Sequence, residues 1–569
     1  MSNNLNRARK LVNSAIKFNR AGKYTKAKEN CQKALKFTSN LPECWYTLGV
    51  SFRNLGRIKQ AVDSQLKALN MTLDSFDAQN NIALELYLLG ETEKAKYAFL
   101  RSIELNSNYA LAHSNLGKIL ADQGEQQSAL EHLQRAKSLA PENALIRLNL
   151  AAVLNKIGYY VEAEHELKPI LKMGHASLEA FNNLGNALSN QEKYKEAEEC
   201  FINALELDPL SADAHLNLFH ALNGLNRPEE ALRHLHKSLE LNPDQADARY
   251  NLGILKLSAL DFKNGWQEYE YRSRDFIEFS KDEPRDWDGL LTKNTYLLVL
   301  AEQGIGDEVL YASFLQHLNN NQCHSHIHVT ADSRLIPIFE RTFANLNFSD
   351  RKALIPSYNF TDKIHLASLG AFYLNALEDF SRITHPFLKY DQKRSQQLHD
   401  KLKRKNQLIC GISWQSKNKK IGSSKTLKLT ELEPVLSLPH LDIVNLQYGD
   451  TESEIQNFEV KTGISIQTVK EIDNLNDIDG LLSLISACDI VVTTSNVTAH
   501  LAGSIGKRVF LILPVGNGKL WYWFHRDENN QSRWYPSVTI FEQKEVGEWS
   551  YPISSICTTI KNLTCEDDG

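Results

Sequence analysis

The sequence predicts an α-solenoid followed by an α/β region of two lobes, and three observations carry that reading. A small residue recurs at Ala27, Ala61, Ala95, Ala129, Ala163, Ala197, Ala231 and Gly265, each step being 34 residues. The period stops after Asp286-Trp287-Asp288-Gly289. Beyond that point buried-strand runs alternate with amphipathic helix patterns.

The repeat is the firmest element. A Leu-Gly or Leu-Ala pair lies about a dozen residues before the recurrent small residue, as at Leu48-Gly49, Leu116-Gly117, Leu150-Ala151, Leu184-Gly185 and Leu252-Gly253. An apolar residue follows four positions after it, as at Phe99, Leu133, Leu167, Phe201 and Leu235, and turn prolines Pro141, Pro209 and Pro243 close several copies. Such a unit makes two helices of about 15 residues, with the small residues at the helix crossing. No copy buries its apolar face alone, so the copies must stack.

The pattern resembles the tetratricopeptide (TPR) family over residues 8 to about 275, and the expected array is residues 1–280 in about eight copies. The eighth, Asp261 to Arg272, is short and is expected to dock on the next domain. Asn81, Asn115, Asn149, Asn183, Asn217 and Asn251 recur two residues before the first small residue of each copy, and Thr47 interrupts them. In TPR superhelices that helix lines the concave face. An asparagine amide can pair with a peptide group in both directions, so these six are candidates to hold an extended acceptor peptide. An ordinary preference for asparagine at this repeat position explains them equally well.

Strands are expected at Asn294–Leu300 and Ser325–Thr330 in the first lobe, residues 285–390. A helix is expected from Glu308 to Leu318, after a loop from Ala301 to Asp307. A bridging helix over Tyr390–Asn406 leads to the second lobe, residues 391–569. Strands are expected there at Leu408–Trp414, Leu441–Leu446, Asp489–Thr493 and Val509–Leu513, and the segment Glu548–Leu563 is expected to close back over the first lobe.

Bulk properties narrow the function. A net charge of -5 gives no surface for a polyanion, which argues against nucleic acid. The N-terminus lacks a secretory apolar segment, and the longest apolar runs are strand-length, so a cytoplasmic chain without a membrane span is expected. The eight cysteines form no CxxC pair and read as reduced thiols.

Two loops carry candidate chemistry. Glu302-Gln303-Gly304-Ile305-Gly306-Asp307 joins the first strand to its helix, where glycines let a ligand approach the backbone. Thr493-Thr494-Ser495-Asn496-Val497-Thr498-Ala499-His500-Leu501-Ala502-Gly503 follows a buried strand and opens a helix, a setting suited to phosphate. Together they resemble the heptosyltransferase-type glycosyltransferases and the bacterial proteins that fuse TPRs to such a domain. The resemblance covers about 285–545, including Ile412-Ser413-Trp414, Leu446-Gln447-Tyr448-Gly449-Asp450 and Trp534-Tyr535-Pro536. It implies a GT-B-like domain of two Rossmann-like lobes facing each other across a cleft. Where many heptosyltransferases have an acidic residue five before the histidine, this chain has Ser495.

The resemblance implies Asp307 as catalytic base, with helix capping as its plainer role, and His500 as a donor to phosphate or sugar. Gly304, Gly306, Ser413, Lys417, Gln447, Tyr448, Ser495, Asn496 and Thr498 are the implied donor-binding residues, with Lys419 an alternative to Lys417. Asp477-Ile478-Asp479 spells a metal-binding DxD but precedes a helix, so it reads as capping, and no metal or other cofactor is expected. Trp521, Trp523 and Trp534 read as core or as cleft wall.

The leading expectation is a protein O-glycosyltransferase. The TPR array recruits a protein acceptor such as flagellin, and the α/β region transfers a sugar from a nucleotide-sugar to Ser or Thr. In architecture it resembles the O-GlcNAc transferases and, more closely, the TPR-linked flagellin glycosyltransferases, which points to a CMP-linked nonulosonic acid such as pseudaminic acid. Two other readings stay open: a non-catalytic TPR scaffold with a degenerate transferase lobe, and a transferase acting on a glycan or lipid carrier. TPR arrays often self-associate into homo-oligomers, but no residue here picks out an interface.

Overall fold

The computed structural model describes residues 2–72, 74–272, 283–320, 326–353, 360–416, 422–516 and 518–566. Among these, sixteen helices run in sequence from Ser2 to Tyr269. The recurrent alanines Ala27 to Ala231 are fully buried. The reason is visible at the pair Ala110–Asp122 and Gln126–Leu139. A Cβ added to Gly117 would lie 2.7 Å from Leu133 Cγ and 3.0 Å from the Ala129 carbonyl oxygen. The turn inside each pair needs a left-handed residue. Glycine fills it at Gly22, Gly56, Gly90, Gly124 and Gly158, whereas Glu192, Asn226 and Leu260 take positive φ at the same position of later copies.

The chain divides into two compact units, Met1–Ala221 and Leu222–Gly569. The first is solenoid throughout. The second holds the helices Pro228–Leu241, Ala246–Ser258 and Phe262–Tyr269 together with both lobes. The change of secondary structure falls where the period ends, with β1 (Arg285–Asp286).

The first lobe adds β2 (Tyr296–Leu300), β3 (His326–Ala331), β4 (Asn347–Asp350) and β5 (Asp362–His365), in the parallel order β1-β5-β2-β3-β4. The second contains β6 (Leu408–Ser413), β7 (Leu441–Asn445), β8 (Ile466–Gln467), β9 (Ile490–Thr494), β10 (Arg508–Leu513) and β11 (Val538–Glu542). Its order is β11-β10-β9-β6-β7-β8, again wholly parallel. Wholly parallel sheets are covered on both faces, which is why residues 297–300, 490–492 and 509–513 read as unbroken apolar runs.

Some expectations need correction. The helix after β2 starts at Ile305, not Glu308, and a second short helix, Leu315–Asn319, follows a break. The bridging helix is Gln392–Leu402, shorter than expected. The last helix, Ser550–Glu566, does not return to the first lobe. It packs on β10, β11 and the helix Glu433–Leu436, because its apolar stripe Ile553, Ile556 and Ile560 joins Ile412, Trp414 and Phe510 in the second lobe's outer core.

One larger core runs through both lobes and the last repeat, from Leu257, Phe262, Trp266 and Tyr269 through Val299 and Phe314 to Val491, Trp521 and Trp534. The Trp266 indole donates to the Leu374 carbonyl (2.8 Å), and His525 Nε2 lies 2.7 Å from the Leu257 carbonyl. The shortened eighth repeat therefore docks on the α/β region as expected. Cys31, Cys44, Cys200, Cys410 and Cys488 are buried free thiols, while Cys323 lies outside the described residues. No described helix is long and apolar enough to cross a membrane.

Candidate functional site

The two loops singled out in the sequence meet. The helices Ile305–Ala312 and Val497–Ser504 pack on each other across the lobes, and their N-termini open on one cavity of about 380 Å³. Gly304, Gly306, Asp307, Tyr448, Ser495, Asn496 and His500 all line it. Gly306 permits the close approach, since a Cβ there would lie 3.1 Å from His500 Cδ2. Arg341 forks Asp479 (2.8 and 2.6 Å) and Arg334 donates to the Leu475 carbonyl (3.0 Å), tying lobe to lobe beside the cavity.

Asp307 is the third residue of its helix rather than the cap. Gly304 is the cap, and its N–H donates to Asp307 Oδ2 (3.4 Å). Burial raises the Asp307 pKa to about 6, against the opposing pull of that N–H and of Lys425, with Glu302 raising it further. Its neighbour Glu308 is fully buried and pushed up to about 7 by burial, although the Asp332 N–H and Arg351 bind it.

Lys425 was not among the residues the sequence singled out. It follows β6 on a short turn, Ser423–Lys425, is 4% exposed, and lines the cavity. Burial lowers its pKa to about 8, and Asp307 opposes the shift. Sequence alone does not set it apart from the other lysines of its stretch, whereas in the structure it is buried and Lys428 is exposed. Lys417 and Lys419 lie outside the described residues.

His500 sits between two tyrosines, with Nδ1 3.0 Å from the Tyr535 hydroxyl and Nε2 3.2 Å from the Tyr522 hydroxyl. Burial, and then Lys425, pushes its pKa down to about 3, so the ring is neutral. It is a positioned hydrogen-bonding group and not a cation. Ser495 Oγ accepts from the Trp523 indole (3.0 Å). Trp521, Trp523 and Trp534 belong to the core, while Tyr522 between them reaches the cavity.

Ser413 and Gln447 face each other rather than this cavity. Gln447 Oε1 accepts from Ser413 Oγ (3.0 Å) and from the Trp414 and Gln415 N–H groups (2.9 and 2.8 Å). Asn496 Nδ2 donates to Ser413 Oγ (2.8 Å), and Asn496 Oδ1 caps its helix at the Thr498 N–H (2.9 Å). This buried polar spine fixes the ends of β6, β7 and β9. Thr498 is fully buried, and its Oγ1 has no partner among the described residues. Gln447 also borders a neighbouring groove with Asp450 and Asn474.

The Asp477 carboxylate caps its helix through the Gly480 N–H (2.7 Å) and pairs with Arg394 (2.7 Å). With Asp479 engaged by Arg341, both acids of the DxD have protein partners. Among the described residues no group of three or more His, Cys, Asp or Glu is arranged to hold a metal ion.

In the first unit Asn81 is exposed, and Asn115, Asn149, Asn183 and Asn217 are half-buried. Asn115 donates to Asn80 Oδ1 and Asn149 to Ser114 Oγ, both at 3.0 Å, each reaching the preceding repeat. In the second unit Asn251 donates to the Asp247 carbonyl of its own helix (2.7 Å). At least three of the six thus have a structural bond within the chain.

Four tetratricopeptide-repeat family profiles match residues 42–74, 110–143, 178–209 and 216–259, so the helical array carries TPRs. Protein FlbA of Caulobacter vibrioides is 28% identical over 322 residues, covering 52% of each chain. This chain thus spans about half the length of that curated relative. Among solved structures, YrrB, described as a TPR protein with an unusual peptide-binding site, is 25% identical, with 33% of this chain and 96% of that one covered and a TM-score of 0.28. MamA from Desulfovibrio magneticus RS-1 is 24% identical, with 30% and 96% covered and a TM-score of 0.27.

Proposed function

We propose that the chain is a metal-independent glycosyltransferase that moves a sugar from a nucleotide-sugar to a serine or threonine hydroxyl of a protein held by the repeats. The observation that carries this is the pairing in one cavity of a carboxylate raised to about 6 with a buried amine near 8, beside a helix N-terminus. TPRs mediate protein interaction, which supplies the acceptor side of the reading.

Asp307 is ionised at neutral pH yet more basic than an ordinary carboxylate, which suits a general base. It takes the acceptor hydroxyl proton as the oxygen bonds to the anomeric carbon. The carbon–oxygen bond to the nucleotide phosphate breaks, and the electron pair leaves with the phosphate. Lys425, about nine-tenths protonated at pH 7, and the positive end of the helix that opens at Val497 stabilise that charge. Neutral His500, bonded through both ring nitrogens to Tyr535 and Tyr522, orders the wall of the site without adding charge.

The first test is a thermal-shift panel with CMP, UDP, GDP and ADP on the full chain and on Lys425→Ala. A ligand at about 100 times its dissociation constant adds roughly 2.7 kcal/mol to the unit that binds it. The second is the mass shift of flagellin incubated with CMP-pseudaminic acid, followed by sugars on whichever nucleotide stabilises the chain. No shift with any nucleotide and no transfer would leave a protein-binding scaffold.

A further inference from the structure

The loop that carries Asp307 is held from outside its own lobe. Arg272, just after the last repeat helix, is buried with its side chain 1% exposed. Its guanidinium forks Glu302 (Nε to Oε2 2.9 Å, Nη2 to Oε1 2.5 Å) and also donates to Ser368 Oγ at 2.8 Å. Tyr269, on the same helix, places its hydroxyl 3.1 Å from Gln303 Nε2 and 2.9 Å from the Tyr311 hydroxyl. Gln303 has φ +65°, a left-handed conformation unfavourable for a residue with a side chain. Such a residue persists where its surroundings over-determine it, and it clusters at functional sites. Arg351 completes the clamp by donating to the Gln303 carbonyl (2.8 Å).

A buried ion pair is poor evidence of stabilisation, because desolvation offsets the attraction; fixing one geometry is the better-attested reason to keep one. The geometry fixed here is that of Glu302-Gln303-Gly304, whose last residue caps the helix that presents Asp307. We propose that Arg272 and Tyr269 are positioning residues for the transfer reaction: the last TPR holds the strained loop that aims Asp307 into the cleft. The proposal rests on Asp307 as the base. It makes the end of the solenoid part of the catalytic apparatus as well as a route for the acceptor.

A positioning role separates turnover from donor binding, since the phosphate-facing groups stand on the other lobe. In the full chain, Arg272→Gln and the isosteric Tyr269→Phe are expected to lower kcat for transfer from CMP-pseudaminic acid to flagellin, by at least tenfold and severalfold respectively. KM for the donor should stay within about twofold, and Arg272→Lys, which keeps the charge without the fork, should fall between wild type and Arg272→Gln. Amide exchange across 302–308 should quicken in the same order, a readout independent of activity. Should Arg272→Gln fail to fold, Tyr269→Phe decides alone. Folded variants with wild-type kcat and unchanged exchange overturn the proposal, as does a rise in donor KM that accounts for the whole loss. Absence of transfer by the wild-type chain with every donor overturns the transferase reading, and this proposal with it.

Discussion

Replacing Asp307 by asparagine should stabilise the protein while abolishing transfer. The folded state raises this carboxyl from 3.8 to about 6. The folded chain therefore holds the proton more tightly than the unfolded chain does. The ionised group destabilises the fold fully above pH 6, and the penalty is gone below 3.8. Linkage sets it at about 3 kcal/mol at pH 8 and about half of that at pH 5. Asparagine keeps an oxygen for the Gly304 N–H and removes the charge. For a unit the size of Leu222–Gly569, roughly 1.4 °C accompanies each kcal/mol, so the transition should rise about 4 °C at pH 8 and about 2 °C at pH 5. Calorimetry of both proteins across that range checks it. A difference that does not change with pH, or a lower melting temperature at pH 8, would refute the claim that Asp307 is held ionised against its surroundings.

Lys425→Ala removes the buried cation. Charge-assisted bonds contribute about 1.5–3 kcal/mol, so titration calorimetry should find the stabilising nucleotide bound about ten- to a hundredfold more weakly; unchanged affinity would remove Lys425 from the site. Gly306→Ala sets a methyl 3.1 Å from His500 Cδ2 and should lower kcat/KM by about tenfold through misplacement, with little change in melting temperature. In the first unit, Gly185→Ala brings a Cβ to 2.4 Å from Phe201 Cε1. Overpacking of this kind costs about 1–3 kcal/mol, so that unit should melt earlier while the nucleotide-induced shift of the second unit survives.

The solenoid was legible because eight copies keep one spacing and each reports the same crossing. The loops around Asp307 and His500 were legible because their glycines and cap residues act within a few positions of sequence. Lys425 was not, because several lysines share its stretch and its tertiary burial leaves no mark in the sequence. The roles of Tyr522 and Tyr535 were hidden for a similar reason: an aromatic-rich segment does not announce which ring faces a cavity, as Tyr522 does, or which one bonds His500 from the core, as Tyr535 does. The path of the C-terminal helix was misjudged because an apolar stripe states that a face is covered without stating by what. The asparagines remain double in meaning, since the side chain that suits a peptide also suits the neighbouring repeat.

The continuous core bears on whether the two parts of the chain can be separated. Trp266, Tyr269 and Arg272 belong to the repeat by sequence and to the lobes by packing. Severing the chain where the period ends would strand the Glu302 carboxylate without its guanidinium, the Leu374 carbonyl without its donor and His525 without its acceptor. Lobes expressed alone would then present a fresh apolar face and precipitate. A solenoid merely set beside a finished α/β domain would meet the same obstacle. A joint packed in this way is shared property: neither part can be recovered intact by cutting.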